Sequence, residues 1–246
     1  SVVLPAYNEE ESVPLAADVI GNLLTRAGID HELIFVNDGS RDHTWRAIQE
    51  AAARRPQVRG IRFSRNFGKE AAIFAGLAQA RGDCCVVLDC DLQHPPEKIL
   101  EMYSLWQQGW QVVEGIKVSR GKESPLHPLA AKTFYRFLSG ATRLDMSHAS
   151  DFKLLDRRAV DVLVAMREKN AFFRALSSWI GFDTTQVEFE VQPRAAGQSK
   201  WSLRSLTRYA VTNLAAFSTA PLQIVTILGV LVFLCSLVLG CWSLWQ

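Results

Sequence analysis

Over the first 120 residues, short apolar runs alternate with segments whose apolar residues recur at helical spacing. The runs predict strands, and the segments between them predict helices. Predicted strands cover 1–4, 32–36, 58–63, 84–89 and 112–116, and predicted helices cover about 10–26, 43–54, 69–81 and 96–108. Such alternation is typical of a parallel sheet flanked by helices. The sequence therefore predicts an α/β fold.

Polar clusters follow four of the predicted strands, at the point where each strand ends. They are Pro5–Glu9 after the first strand, Asn37–Ser40 after the second, Ser64–Lys69 after the third and Asp89–Asp91 after the fourth. In open α/β sheets, ligands bind outside the carboxyl ends of the strands. The four clusters therefore predict one site at that edge of the sheet.

Asp89 and Asp91 flank Cys90 at the end of the fourth predicted strand and are followed by L-Q-H-P-P. Two carboxylates in this position can hold a hard divalent ion, which in turn neutralises a diphosphate. A bare acidic pair at a strand end can also be a solvated cap, so the specificity comes from the longer string D-x-D-L-Q-x-P-P.

The other clusters suit a nucleotide. Asp38 lies in a turn that leads into a helix, and this turn would present its carboxylate at the sheet edge. Beside it, Pro5–Glu9 could form a wall for a nucleotide base or be an ordinary strand-to-helix turn. Gly68 and Lys69 open a helix whose N-terminus can attract phosphate, although the Walker A spacing is missing. The small residues that follow favour close packing of this helix.

The end of the chain carries no charged side chain after Arg208. Residues 222–245 are apolar over a length that suffices to cross a bilayer, and Trp242 and Trp245 suit its interface. A buried core helix is the alternative, but such helices rarely run this long without a charge. Upstream, the spacing of apolar residues predicts an amphipathic juxtamembrane helix over 201–218, ahead of a transmembrane segment over 219–246.

Composition disfavours several other classes. The net charge of +2 provides no basic field for nucleic acid. The five cysteines have neither metal-binding nor disulfide spacing. A dinucleotide-binding oxidoreductase is disfavoured because no G-x-G-x-x-G follows the first strand. The middle of the chain continues the predicted fold. Residues 120–180 have a mainly helical pattern, and a further strand is predicted over 186–191.

Six strings occur in order: V-L-P-A-Y-N-E-E, V-N-D-G-S, S-R-N-F-G-K-E-A-A, D-C-D-L-Q-H-P-P, S-D-F-K-L-L-D-R and G-Q-S-K-W-S. With them the chain resembles the inverting family-two glycosyltransferases of GT-A fold. Within these it is most similar to the polyprenyl-phosphate branch, which includes dolichol-phosphate mannose synthases and bactoprenol glucosyltransferases. The resemblance spans nearly the whole chain and implies a GT-A catalytic domain over 1–200.

The resemblance also implies roles for individual residues on the donor side. Pro5, Tyr7 and Glu9 would border the nucleotide, and Asp38 would contact its base. The diphosphate and its Mg²⁺ or Mn²⁺ ion would be held by Asp89 and Asp91, with help from Gln93.

On the acceptor side, Asp151 matches the acidic catalytic residue, although Ser150 stands where relatives often have Gly. Arg120 and Lys132 fall where the family places cations for the acceptor phosphate. Arg194, Ser199 and Lys200 match a loop next to the membrane that closes over the site.

The activity implied is transfer of one sugar, with inversion, from a nucleotide-diphosphate donor to undecaprenyl or dolichyl phosphate. UDP-glucose is the favoured donor, and GDP-mannose or a modified pentose donor remains open. Because a phosphate acceptor is already ionised, Asp151 is expected to orient groups more than to remove a proton. The resemblance further implies a homo-oligomer, with the bacterial inner membrane favoured as its location. Cations beside the predicted span, Lys200, Arg204 and Arg208, favour a cytoplasmic location for the catalytic domain.

Two alternatives remain, one from the same superfamily and one from a different functional class. A processive polysaccharide synthase would carry Q-x-x-R-W, of which only Lys200 and Trp201 have counterparts here. An inactive membrane adaptor is disfavoured because the four aspartates of the site are intact.

Overall fold

The computed structural model of the protein describes residues 1–118, 150–166, 172–193 and 220–245. Several predictions fall outside these residues: those for Arg120, Lys132, Arg194, Ser199 and Lys200, the helical pattern over 120–149 and 167–171, and the amphipathic helix over 201–218. The described residues belong to two units, one containing the sheet and one containing the C-terminal helix.

Strands and helices alternate through the first part of the chain, and every strand and helix predicted there is confirmed. These elements are β1 (Val2–Ala6), α1 (Ser12–Arg26), β2 (Leu33–Asn37), α2 (Thr44–Arg54), β3 (Val58–Arg62), α3 (Lys69–Gln79), β4 (Cys84–Val87), α4 (Lys98–Gln107) and β5 (Val112–Lys117). The unit continues with β6 (Lys153–Asp156), α5 (Arg157–Ala165), α6 (Phe173–Trp179) and β7 (Thr184–Phe189).

The described strands form one sheet in the order β3-β2-β1-β4-β6-β5-β7. Strands β1 to β4 pair in parallel, so their carboxyl ends share one edge. β6 runs antiparallel to both β4 and β5, with Lys153 opposite Val87. The start of β6 therefore lies at the same edge as the end of β4, and this reversal brings Asp151 to the side of Asp89.

The helical pattern expected over 120–180 is wrong at Lys153–Asp156, which form strand β6. Three successive residues of this strand, Lys153 to Leu155, are buried, so both of its faces are covered and no alternating pattern marks it. The lysine at its start makes the segment resemble a surface position. The last strand, predicted over 186–191, lies two residues earlier at Thr184–Phe189.

The core lies on both faces of the sheet. β1 and β2 are buried along their whole length, as expected for central parallel strands. Helix α3 packs closely on β1, because a Cβ added at Gly76 would lie 2.3 Å from Cγ1 of Val3. The close packing predicted from the small residues of α3 is thus confirmed, and it fixes the start of α3 at the sheet edge.

The second unit contributes one described helix, α7 (Ala220–Trp245). Its segment Val225–Ser243 is long and apolar enough to cross a membrane, judged by length and composition. It is therefore a candidate membrane anchor.

Candidate active site

The turns that follow β1 and β2 are joined by hydrogen bonds. Asn8, which has a φ of 54°, donates its backbone N–H to Oγ of Ser40 (2.9 Å), and its own Oδ1 accepts the N–H of Arg41 (2.8 Å). The N–H of Glu9 is donated to Oγ1 of Thr44 (2.7 Å). The cluster Pro5–Glu9 is therefore held against the turn that contains Asp38.

Asp38 is buried and holds the loop that leads into α3. Its Oδ1 accepts the N–H of Phe67 at 2.7 Å, and its Oδ2 accepts the N–H of Gly68 at 2.9 Å. Burial raises the pKa of Asp38, although the two hydrogen bonds oppose this effect. The loop comes so close to Gly39 (φ 62°) that an added Cβ would lie 2.2 Å from the backbone carbon of Arg65. Asp38 therefore positions the residue that follows Gly68.

That residue is Lys69, the first residue of α3, and its ammonium group joins two carboxylates. The Nζ atom lies 2.6 Å from Oδ1 of Asp89 and 2.6 Å from Oδ2 of Asp151. Burial lowers the pKa of Lys69, but the two carboxylates outweigh burial and raise it above its usual value. Lys69 is thus a permanent positive charge between the two aspartates.

Asp151 is buried and is bound by a second cation, Arg174 of α6. Nε of Arg174 lies 2.7 Å from Oδ1, and Nη2 lies 2.8 Å from Oδ2, which is the bidentate geometry of strong arginine–carboxylate pairs. Burial alone would raise the pKa of Asp151, but Lys69 and Arg174 hold it well below its usual range. Asp151 therefore stays ionised and is a poor proton acceptor.

The acidic motif, Asp89-Cys90-Asp91, forms a turn at the sheet edge. Cys90 is buried in the core, whereas the Asp89 side chain is 32% exposed. Asp91 is mostly buried, and its Oδ1 accepts the N–H of Gln93 at 3.1 Å. Burial raises the pKa of Asp89, but the charge of Lys69 outweighs burial and lowers it. Both aspartates thus present carboxylate oxygens from one tight turn.

These oxygens suit Mg²⁺ or Mn²⁺. Such ions are commonly bound through one or two carboxylates together with substrate phosphates. The described residues contain no group of three or more His, Cys, Asp or Glu side chains that could hold a metal by themselves. A site of one or two carboxylates that is completed by a diphosphate fits this donor set.

His94 lies just behind the acidic motif. Its ring stacks on Phe152, with 5.1 Å between ring centroids, and contacts the Phe189 ring edge-to-face at 5.3 Å. Burial lowers the pKa of His94, and its Nδ1 has no hydrogen-bond partner in the described part of the chain. This neutral ring links the acidic motif to Phe152, the neighbour of Asp151.

A second charge pair supports α6 from inside the sheet. Lys153 of β6 is fully buried and forms an ion pair with Glu114, which lies opposite it on β5. Its Nζ also donates to Oγ of Ser177 at 2.7 Å and lies 3.5 Å from the carbonyl oxygen of Arg174. Burial lowers the pKa of Lys153, although Glu114 opposes this. Lys153 therefore stabilises the turn of α6 that carries Arg174.

Glu70, which lies on α3, contacts helix α6. Its Oε2 accepts the N–H of Phe173 at 2.8 Å, and burial together with the nearby charge of Asp151 raises the pKa of Glu70 to about 7. Residues from α3, β6 and α6 thus meet at one charged cluster.

The structure brings most of the predicted residues to one edge of the sheet. These are Pro5, Tyr7, Glu9, Asp38, Asp89, Asp91, Gln93 and Asp151. Asp89 and Asp151 are joined through Lys69, whereas Asp38 acts on this cluster through the backbone of Phe67 and Gly68.

The sequence did not single out Arg174, Lys153 or Glu114. Lys153 lies in the string S-D-F-K-L-L-D-R but has no assigned role there, and Arg174 and Glu114 lie in none of the six strings. Their partners lie 23 to 39 residues away in the chain. Lys69 lay within a predicted cluster, but its position at a helix N-terminus indicated a phosphate contact and not a bridge between aspartates.

Residues 1–163 match the family described as Glycosyl transferase family 2. The chain belongs to this family and is a glycosyltransferase, as its resemblance implied. An uncharacterised glycosyltransferase of Bacillus subtilis (strain 168), YkcC, is 39% identical over 232 residues, which cover 94% of this chain and 72% of that protein. The prophage bactoprenol glucosyl transferase homolog of Escherichia coli (strain K12) is 34% identical over 245 residues, which cover 99% of this chain and 80% of that protein.

Among solved structures, the fold is similar to that of glucosyl-3-phosphoglycerate synthase from Mycobacterium tuberculosis in complex with Mn²⁺, UDP and glucosyl-3-phosphoglycerate. The TM-score is 0.60 at 21% sequence identity, and the match covers 88% of this chain and 78% of that chain. An identity this low shows the fold alone. The predicted GT-A fold, a mostly parallel sheet flanked by helices, is confirmed.

Proposed function

We propose that this glycosyltransferase moves one glucose unit from UDP-glucose to the phosphate of a polyprenyl phosphate, with inversion and with a divalent ion. The observation that carries the proposal is the state of Asp151, whose carboxylate is bound by both Lys69 and Arg174. A carboxylate held by two cations is a weak base. It suits an acceptor that is already an anion, such as a phosphate monoester, better than a hydroxyl that must lose its proton.

Relatives support the choice of acceptor and sugar. Proteins named bactoprenol glucosyl transferases, including that of Shigella phage SfV, are 34% identical to this chain over 99% of its length. Support for a divalent ion comes from the oxygens of Asp89 and Asp91 and from the Mn²⁺ and UDP bound in the similar fold of the mycobacterial synthase.

We assign the donor side of the reaction to the first four strand ends. Pro5, Tyr7 and Glu9 would border the nucleotide, and Asp38 would contact its base. Asp89, Asp91 and Gln93 would hold the ion, which when bound neutralises the charge that develops on the leaving diphosphate.

The acceptor side is assigned to Asp151, with Arg174 as the residue that holds it. Asp151 would orient the acceptor or the sugar hydroxyls so that the phosphate oxygen meets the anomeric carbon in line with the leaving group. Arg120 and Lys132 remain the proposed contacts of the acceptor phosphate, and Arg194, Ser199 and Lys200 remain the proposed loop that closes over the site.

A lipid acceptor requires the reaction to take place at a membrane surface. We propose that residues 1–200 form the catalytic domain, that 201–218 lie along the interface and that 219–246 span the bilayer. The candidate span in α7 supports the last of these assignments. The proposed location is the bacterial inner membrane, with the catalytic domain in the cytoplasm and the chains self-associated.

The test is sugar transfer by the full chain in detergent, with undecaprenyl phosphate and a panel of radiolabelled nucleotide sugars. UDP-glucose should place label in an acid-labile, organic-extractable lipid, and EDTA should abolish the transfer. Asp89→Asn should lower the rate by about 10²–10³-fold, because it weakens the charge stabilisation of the leaving group. The matched change Asp83→Asn, at an exposed position before β4, should leave the rate unchanged.

Label that appears only with GDP-mannose would reassign the donor. A labelled polymer would point to a processive synthase. Transfer that resists EDTA would refute the metal requirement.

A further inference from the structure

The ammonium group of Lys69 lies where a divalent ion would have to compete with it. Nζ is 2.6 Å from Oδ1 of Asp89, one of the carboxylates assigned to the ion, and 2.6 Å from Oδ2 of Asp151. Within the described residues, Lys69 makes the only ion pair of Asp89. A second cation at Asp89 would therefore meet the repulsion of a like charge at short range.

Several contacts hold Lys69 in this place. Asp38 binds the N–H groups of Phe67 and Gly68, so the residue at the start of α3 has a fixed backbone. Helix α3 is itself packed tightly on β1 through Gly76. The backbone position from which the Lys69 side chain extends to the two aspartates is thus held in place.

The two aspartates depend on Lys69 to different degrees. Asp151 keeps a bidentate partner in Arg174 even when the ammonium moves, whereas Asp89 has Lys69 alone among the described cations. The contact with Asp89 is also the more accessible one, because that side chain is 32% exposed and the Asp151 side chain is 4% exposed. The Lys69 ammonium should therefore give up its contact with Asp89 more easily than its contact with Asp151.

We propose that Lys69 is a positioning residue that neutralises Asp89 until the nucleotide diphosphate arrives, so that the divalent ion binds with the nucleotide and not before it. The negative diphosphate would offset the repulsion between the ion and the ammonium. Lys69 would then remain on Asp151 and keep it ionised on the acceptor side. This inference rests on the metal-dependent transfer proposed above.

The test is direct Mn²⁺ binding to the full chain in detergent, followed by the electron paramagnetic resonance signal of free Mn²⁺. Without UDP, the wild type should bind Mn²⁺ weakly, and UDP should tighten binding strongly. Lys69→Met should tighten Mn²⁺ binding without UDP by about tenfold or more, and the gain from UDP should shrink. Lys69→Arg keeps the charge and should behave as the wild type does.

Lys98→Met is the matched control, since Lys98 is also the first residue of a helix and forms an ion pair, with Glu101 at 2.7 Å. It should leave Mn²⁺ binding unchanged. Lys69→Gln keeps a hydrogen-bond donor without the charge and serves as a second neutral variant, with thermal melting to check that each variant is folded.

The inference is overturned if the folded neutral variants bind Mn²⁺ no more tightly than the wild type in the absence of UDP. It is also overturned if the wild type binds Mn²⁺ equally well with and without UDP. A wild type that binds no Mn²⁺ even with UDP would refute the metal-dependent function itself. Unchanged variants beside normal UDP-dependent binding would refute only the role of Lys69.

Discussion

The two parts of the candidate site that meet at Lys69 are stabilised by different interactions. On the proposed donor side, the turns after β1, β2 and β3 are held mainly by hydrogen bonds between neighbouring turns, such as that from Asn8 to Ser40. The proposed acceptor side depends on buried ion pairs, with Lys153 bound to Glu114 and Arg174 bound to Asp151. Single hydrogen bonds contribute little each, whereas a buried pair leaves a costly charge behind when one partner is lost. The acceptor side should therefore be the more sensitive to single substitutions.

The largest loss of stability is expected for Lys153→Met, which removes the ion-pair partner of Glu114 and leaves that carboxylate with the Ser178 hydroxyl, 3.2 Å away, as its only partner among the described residues. We expect the free energy of unfolding to fall by about 3–5 kcal/mol. The matched change on the donor side, Ser40→Ala, removes the acceptor of the Asn8 N–H and should cost about 1 kcal/mol. Thermal unfolding of the full chain in detergent measures both. Equal losses in the two variants would remove the distinction between the two sides.

The hydrogen-bonded turns and the buried ion pairs also differ in how far the sequence predicts them. Asp38, Asp89 and Asp91 follow strands directly, so a local pattern marks both the strand and the site at its end. Lys153 and Glu114 are 39 residues apart and meet only because β6 runs antiparallel between β4 and β5. A charged residue in a four-residue strand resembles a surface position, and only the folded sheet shows that it is buried.

The surroundings of Asp151 could be predicted from the sequence only in part. Its motif predicted a place near the acceptor, and the strand reversal brings it to the edge where Asp89 lies. Its two cationic partners, from α3 and α6, could not be predicted because they come from separate parts of the chain. The fold and the class of enzyme are confirmed, and the roles of the individual site residues remain predictions.

A smaller effect is expected for Glu70→Gln, and it depends on pH. The pKa of Glu70 rises from 4.5 to about 7 on folding, so the folded state holds this proton more tightly than the unfolded state. The free energy of unfolding should therefore fall as the pH rises through this window in the wild type, but not in the variant. Between about pH 5 and about pH 8, the melting temperature of Glu70→Gln should gain a few degrees relative to the wild type.

The surface change Glu101→Gln serves as its control, because Glu101 is exposed on α4. Its melting temperature should keep a constant offset from the wild type over the same range. A constant offset for Glu70→Gln as well would show that Glu70 does not titrate in this window.

The most direct test of the orienting role of Asp151 is the pH dependence of kcat for the wild type and Asp151→Asn at saturating polyprenyl phosphate. The acceptor phosphate ionises near pH 6 in both cases, so the ratio of the two kcat values isolates the contribution of Asp151. An orienting carboxylate that stays ionised predicts a loss of about 10²-fold that is constant between about pH 6 and about pH 9. A ratio that grows with pH through one ionisation would identify Asp151 as a base, and a near-normal kcat in the variant would remove it from the reaction.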